Sequence, residues 1–223
     1  MRFDIITLFP EIFEFYCQHS ILKKAKEKGI IKIKVHNLRD FTSDKHKTVD
    51  DKPFGGGRGM VLKIEPIYKA VQSLKSKIKS QKSKIILFTP RGKKFTQKMA
   101  LEFSKLSQLI LICGRYEGVD ERVAKYLCDE KISIGDYVLM GGELPALVVI
   151  ESVARLVPGV IGKSELLKER FTEKGGFLEY PQYTRPEVFE PKKRVKWKVP
   201  KVLLSGDHKK IEEWRKKHSK VIE

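Results

Sequence analysis

Short apolar segments alternate along the chain with longer segments in which apolar residues recur at helical spacing. Strands are predicted at Arg2–Phe9, Ile30–Leu38, Lys84–Thr89, Leu109–Cys113 and Lys131–Ile134. Helices are predicted at Glu11–Lys28, Glu65–Lys79, Thr96–Lys105, Asp120–Leu127 and Glu143–Leu156. Strands that alternate with helices favour an α/β domain with a mostly parallel sheet covered on both faces.

The C-terminal quarter has a different pattern. We assign residues 1–160 to the α/β domain, the polar and irregular residues 161–176 to a linker, and residues 177–223 to a small module. A helix is predicted from Asp207 to His218, because Asp207 is a good N-cap and Lys216 and Lys217 suit the carboxyl end of a helix. The small module is too short to bury a rich core of its own.

Three glycine-containing turns follow predicted strands. They are Leu87–Gly92, Cys113–Gly118 and Ile134–Pro145. Glycine lets the backbone approach a ligand closely, and the carboxyl ends of parallel strands are where open α/β sheets bind ligands. Apolar walls with backbone amides suit a nucleoside, so the residues alone predict a pocket for a nucleoside-containing cofactor.

Other nucleotide motifs fit poorly. Gly55–Gly59 does not have the Rossmann glycine spacing, and Gly162-Lys-Ser164 lacks the earlier glycine that a phosphate-binding P-loop requires. The cysteines and histidines show no metal-binding spacing, and no serine-hydrolase motif is present. The spacing of these residues therefore predicts no metal site.

The formal net charge of +18 favours a polyanionic partner, although a generally lysine-rich proteome would have the same effect. No acidic residue occurs between Pro66 and Leu101, and Lys192–Lys201 is a second basic run that contains a tryptophan. Two separate basic segments suggest an extended nucleic acid. No signal peptide precedes Arg2 and no apolar run is long enough for a membrane span, so we expect a cytoplasmic protein without a membrane partner.

Several segments together resemble the bacterial tRNA (guanine-N1)-methyltransferases, which modify the guanine immediately 3′ of the anticodon. The resemblance covers nearly the whole chain and rests on Leu8–Phe13, Arg39–Thr42, His46–Asp51, Pro53–Gly57, Gly59-Met60, Cys113–Arg122, Ser133–Ala146, Tyr180–Pro186 and Leu203–Gly206. It implies an α/β fold of the SPOUT class with a C-terminal trefoil knot, a small mainly helical C-terminal domain that binds the tRNA anticodon stem-loop, and a homodimer.

The resemblance also implies a set of site residues. S-adenosylmethionine would contact Leu87, Gly114, Gly118, Ile134, Gly135, Asp136, Tyr137, Val138, Leu139, Gly141, Gly142 and Pro145. Glu169, where the family usually has aspartate, would accept the N1 proton, and Arg155 would stabilise negative charge on O6. Arg58, Tyr183 and Arg185 are expected to contact RNA, and magnesium is suggested as an assisting ion. A knotted ribosomal RNA methyltransferase and a non-catalytic RNA-binding protein are the alternatives.

Overall fold

The computed structural model describes residues 1–75, 82–162, 172 and 176–222. The chain divides into two compact units, Met1–Ser164 and Glu165–Glu223. The linker expected over 161–176 lies largely outside the described residues. Each unit is therefore considered by itself.

The first unit is built on a parallel sheet. Its strands are β1 (Arg2–Thr7), β2 (Lys32–Asn37), β3 (Asp50–Asp51), β4 (Val61–Leu62), β5 (Ser83–Lys94), β6 (Gln108–Ile112) and β7 (Glu130–Ser133). Its helices are α1 (Glu11–Tyr16), α2 (Ser20–Glu27), α3 (Ile64–Lys75), α4 (Gln97–Ser104), α5 (Glu121–Tyr126) and α6 (Glu143–Ala154). The five-stranded sheet has the order β2-β1-β6-β5-β7, and all of these pairs are parallel. The predicted α/β class is confirmed.

Both faces of the central strands are buried, as a parallel sheet covered by helices requires. Side chains alternate between the two faces along each strand. In β6, Leu109 and Leu111 join a core cluster with residues of α4 and α6, whereas Ile110 and Ile112 join a second cluster with residues of α3. β6 is therefore apolar from Leu109 to Ile112, which is why its position could be predicted from the sequence.

Strand β5 continues beyond the predicted end at Thr89. Phe88 and Lys93 both lie in register with Ile132 of β7, so the residues from Thr89 to Gly92 leave the ladder as a loop and the strand then resumes. A Cβ atom on Gly92 would lie 2.5 Å from the backbone nitrogen of Ile132. Glycine at this position lets the strand return to β7, which the sequence pattern did not predict.

The predicted helix over Glu11–Lys28 is two helices, α1 and α2. His19 is extended and Ser20 has a φ of 52°, so the chain turns between them. In one continuous helix Leu22 would point about 140° away from Cys17. The break allows Cys17 and Leu22 to pack in the same core cluster.

The polar segment after Leu38 contains more structure than its lack of periodicity indicates. A short 3₁₀ helix covers Leu38–Phe41, and β3 pairs with β4 in an antiparallel ladder. Val49 and Leu62 are fully buried and hold this ladder to the core. The glycine-rich residues between the two strands are thereby held at both ends.

The second unit contains four short strands and two helices among its described residues. These are β8 (Phe177–Glu179), β9 (Val188–Lys192), β10 (Val195–Lys198), α7 (Lys201–Leu204), α8 (His208–His218) and β11 (Lys220–Ile222). β8 pairs with β11, β9 pairs with β10, and both ladders are antiparallel. The expected mainly helical module is therefore corrected to a mixed one. The predicted helix capped by Asp207 is present, and the Asp207 carboxylate accepts a hydrogen bond from the backbone amide of Lys210.

A buried charged cluster joins three strands of the sheet. Asp4 of β1 is fully buried and accepts hydrogen bonds from Arg2 at 2.5 and 2.7 Å, from His36 of β2 at 2.8 Å and from Gln108 of β6 at 2.8 Å. Burial alone would raise the pKa of Asp4, but the hydrogen bonds from His36, Arg2 and Gln108 outweigh it and lower the pKa below its usual value. The ionised carboxylate is therefore the stable form in the fold.

This cluster makes stability depend on pH. Because the pKa of Asp4 is lower in the folded chain than in the unfolded chain, its contribution is present above about pH 4 and is lost as the pH falls through the folded value. We expect Asp4→Asn to lower the free energy of unfolding by about 1.5 to 3 kcal/mol at neutral pH and by less in acid. Urea unfolding at neutral pH and in acid tests this, with Asp40→Asn, a substitution of an exposed aspartate, as control. An equal loss at both pH values would contradict the prediction.

Candidate functional site

A cavity of about 520 Å³ lies at the carboxyl ends of β5, β6 and β7. This is the edge at which parallel α/β sheets bind ligands, and the volume falls within the usual range for small-molecule sites. The loop from Thr89 to Arg91, the segment Gly114–Val119 and the segment Tyr137–Gly142 form much of its wall. The three turns singled out from the sequence therefore meet at one place.

Two of these turns pack backbone against backbone. The amide of Gly142 donates a hydrogen bond to the carbonyl of Gly114 at 2.9 Å, and Arg115 and Gly141 form an antiparallel bridge. A Cβ atom on Gly142 would lie 2.7 Å from the Cα of Cys113. Glycine is required here because neighbouring backbone already occupies the space that a side chain would need.

A buried carboxylate joins the cavity loops to the sheet. Glu143, in the first turn of α6, is 2% exposed and accepts hydrogen bonds from Thr7 at 2.8 Å and from the Nε of Arg115 at 2.9 Å. The guanidinium carbon of Arg115 lies 4.4 Å from the centre of the Phe9 ring. This network was not predicted from the sequence. The available signal was an acidic residue that begins a strongly apolar helix and so needs a buried cationic or hydroxyl partner.

The third turn is held by its own side chains. The Ser133 hydroxyl donates to the carbonyl of Gly135 at 2.9 Å, and Asp136 forms an ion pair with Lys94. Gly135 and Asp136 are the two proposed cofactor residues that do not line the cavity. The other ten line it: Leu87, Gly114, Gly118, Ile134, Tyr137, Val138, Leu139, Gly141, Gly142 and Pro145.

The glycine-rich loop after β3 lies against the cavity wall. A Cβ atom on Gly59 would lie 2.6 Å from a carboxylate oxygen of Glu117, and the amide of Glu117 donates to the carbonyl of Met60 at 3.1 Å. Glu117 and Tyr116 line the cavity and are exposed. Arg58 is also exposed in this loop. Glu117 is a carboxylate that the sequence analysis did not single out, although it lies inside the second glycine turn.

The cysteine thiols are not suited to nucleophilic chemistry. Burial, followed by the nearby Glu143 carboxylate, raises the pKa of Cys113 well above its usual value. Burial, with Asp129 beside it, raises the pKa of Cys128 to about 12. Burial also raises the pKa of Cys17. All three thiols are therefore protonated at neutral pH, and thiolate catalysis is not supported.

The proposed catalytic residues are not brought together within the described cavity. Arg155 is exposed at the carboxyl end of α6 and does not line the cavity. Glu169 lies outside the described residues. In the second unit, Tyr183 is about half exposed and its ring meets that of Trp214 edge-on at 6.2 Å, and Arg185 is exposed.

Two negative findings apply to the described part of the chain. Residues 1–75, 82–162, 172 and 176–222 contain no group of three or more histidine, cysteine or acidic side chains placed to hold a metal ion. Over the same ranges, no helix has the length and apolar character needed to cross a membrane.

Comparison with known proteins gives a consistent result. The chain matches the family described as tRNA (Guanine-1)-methyltransferase TrmD over residues 1–222. It is 57% identical over 219 residues to the tRNA (guanine-N(1)-)-methyltransferase of Dictyoglomus turgidum, covering 98% of this chain and 85% of that protein. The proteins of the same name from Clostridioides difficile and Clostridium novyi are 51% and 52% identical, and the alignments cover 92% and 88% of them and 98% and 100% of this chain. The chain described here belongs to the tRNA (guanine-1)-methyltransferase family.

Proposed function

We propose that this chain transfers a methyl group from S-adenosylmethionine to N1 of the guanine immediately 3′ of the anticodon in tRNA. The observation that carries the proposal is the glycine-walled cavity at the ends of β5, β6 and β7, in a chain of this family. The net charge of +18 suits an RNA substrate.

The cavity fits the proposed cofactor in size and chemistry. Its volume of about 520 Å³ suits a nucleoside with an amino-acid arm, and Leu87, Leu139 and Pro145 provide apolar walls. Backbone groups at the ends of the strands can bind the edges of an adenine ring. S-adenosylmethionine, when bound, supplies a methyl group on a positively charged sulfur. We assign cofactor binding to the ten cavity residues named above, and we assign to Gly135 and Asp136 the shaping of the loop.

The remaining chemistry concerns one proton and one oxygen. N1 of guanine loses its proton to a base as the N1–methyl bond forms and the bond between sulfur and methyl breaks, and negative charge gathers on O6 while the proton leaves. We assign proton acceptance to Glu169 and the stabilisation of O6 to Arg155. We further propose that Arg58, Tyr183 and Arg185 contact the anticodon stem-loop, which presents unpaired bases. Magnesium stays a prediction from the resemblance.

A homodimer is the second part of the proposal. Leu144 and Val148 are 57% and 43% exposed and lie one turn apart on α6. Arg155 lies on the same face of α6, seven residues after Val148. An apolar face on an otherwise charged surface is typical of an interface, and it would bring Arg155 close to a partner subunit.

The fold and location complete the proposal. We infer that the chain forms the trefoil knot of the SPOUT class, which is supported by the close backbone packing of the glycine turns and by the return of β5 to β7. We place the reaction in the cytoplasm, where unmodified tRNA is present as the substrate. The reducing conditions there also suit a chain with free thiols.

Methyl transfer to defined RNA tests the reaction itself. We expect labelled methyl to appear at N1 of the guanine 3′ of the anticodon in an unmodified tRNA transcript. A transcript with adenine at that position should gain none, since the site accepts N1 of guanine. Equal labelling of both transcripts would refute the proposed specificity. Labelling of ribosomal RNA alone would favour a knotted ribosomal RNA methyltransferase.

Substitution at Gly142, where two of the cavity turns meet, tests the cofactor site. Gly142→Ala places a methyl group 2.7 Å from the Cα of Cys113, so the two loops must move apart. We expect at least about a tenfold weaker binding of S-adenosylmethionine by calorimetry. Gly162→Ala is the matched control, because Gly162 has open space around its Cβ position. Equal affinity in the two variants would place the cofactor elsewhere.

Substitution of the proposed base tests the proton transfer. We expect Glu169→Gln to lose turnover and to keep cofactor binding, because the amide cannot accept the N1 proton. Glu165→Gln, a nearby glutamate of the same segment, should retain turnover.

Mixing inactive variants then tests whether the site is shared. The cofactor concentration is kept low enough that Gly142→Ala alone shows no turnover. If base and cofactor then come from different subunits, equal amounts of Glu169→Gln and Gly142→Ala chains should regain about a quarter of the wild-type activity, since about half of the random dimers hold one intact site. No recovery after subunit exchange would place both in the same subunit.

A further inference from the structure

The hairpin formed by β9 and β10 carries an aromatic pair on its surface. Phe189 and Trp197 lie opposite each other in the ladder, with ring centres 5.7 Å apart and ring planes inclined by 48°. They are 50% and 63% exposed. Two adjacent exposed aromatic rings form an apolar patch that a partner can cover, and burying such rings is favourable.

Positive charge surrounds this pair. The hairpin has Lys192, Lys193, Arg194, Lys196 and Lys198 and a single carboxylate, Glu190. Glu190 forms a cross-strand ion pair with Lys196 at 2.9 Å, which offsets one charge. Lys193 and Arg194 form the two-residue turn at the tip, and Arg194 has a φ of 70°. The other cations of the hairpin remain available to an anion.

All hairpin residues from Val188 to Lys198 are exposed. A two-stranded ladder without a buried face is only marginally stable alone, so packing does not explain why its apolar rings face water. A partner that covers the rings would also stabilise the ladder.

We propose that this hairpin is a stacking platform for an unpaired nucleotide of the RNA substrate, with the base on Trp197 and Phe189 and the neighbouring phosphates on the cations. Proteins bind single-stranded RNA by combining aromatic rings, which stack with bases, and positive side chains, which follow the backbone. The identity of the RNA rests on the proposed function. The hairpin shares no residue with the cofactor cavity.

The charge pattern favours RNA over a second protein chain. A protein interface of standard size tends to exclude lysine from its centre, whereas here lysine and arginine flank the rings closely along the hairpin. An interface between copies of the chain would also place many like charges together, which is unfavourable. An RNA with unpaired bases has both negative charge and exposed base rings, so it matches the cations and the aromatic rings of the hairpin.

Tryptophan fluorescence gives a direct test because the chain has two tryptophans, Trp197 and Trp214. In Trp214→Phe the emission comes from Trp197 alone, and we expect an anticodon stem-loop to quench it as the base stacks. In Trp197→Phe only Trp214 emits, and its quenching should be weaker than that of Trp197, because Trp214 contacts Tyr183, a proposed RNA contact, and is not itself part of the platform. A blunt-ended RNA duplex, which has no unpaired base, should quench much less. Equal quenching by duplex and stem-loop, or none from Trp197 while RNA anisotropy shows binding, would overturn the proposal.

Binding measurements distinguish stacking from loss of fold. We expect Trp197→Ala to weaken binding of the stem-loop by at least about fivefold. KM for tRNA should rise, whereas kcat and the affinity for S-adenosylmethionine should stay unchanged. Lys193→Gln should flatten the dependence of RNA affinity on salt, whereas Lys23→Gln on α2 should not. Normal RNA affinity in Trp197→Ala, or a change in oligomeric state, would assign the hairpin to another role.

These readouts separate the two proposals. If the stem-loop quenches Trp197 in the Trp214→Phe chain but the wild-type chain methylates no tRNA, the proposed reaction fails and the platform stands. If it methylates tRNA with full efficiency after Trp197→Ala, the platform fails and the reaction stands.

Discussion

The contact between Glu143 and Arg115 is the interaction on which the rest of the site depends. Glu143 is almost fully buried at the start of α6, and burying a carboxylate without partners is costly. It is satisfied by Arg115 from the second glycine turn and by Thr7 from the end of β1. A single side chain thus fixes a helix, a loop and a strand relative to one another. Arg115 and the neighbours of Glu143 at the start of α6, Gly142 and Pro145, line the cavity.

The glycines around this contact have a complementary role. The amide of Gly142 donates a hydrogen bond to the carbonyl of Gly114, and a Cβ atom on Gly142 would collide with the backbone at Cys113. The carboxylate holds the loops together, and the glycines allow them to come close enough. Where these two turns meet, the cavity wall is consequently formed by main chain.

Features set by local pattern could be predicted from the sequence, and features set by distant partners could not. The central strands and the glycine turns were predicted because apolar runs and glycine are local signals, and ten of the proposed cofactor residues line the cavity. The break before Ser20 was missed because it depends on which core cluster Leu22 joins. The pairing of β8 with β11 joins three-residue segments far apart in the chain, and the turn at Lys193 lacks the usual glycine or asparagine. The role of Glu143 likewise depends on residues from two distant segments.

The packing around Gly142 has a consequence for inhibitors. A compound that binds this cavity through backbone amides and carbonyls would contact atoms that every amino acid shares. Resistance usually arises when a side chain in the wall is exchanged for a larger or differently charged one. At Gly142 even a methyl group would collide with the backbone at Cys113. A mutant that excluded such a compound there would also disturb the loops that form the cavity, so few substitutions could give resistance and keep the site intact.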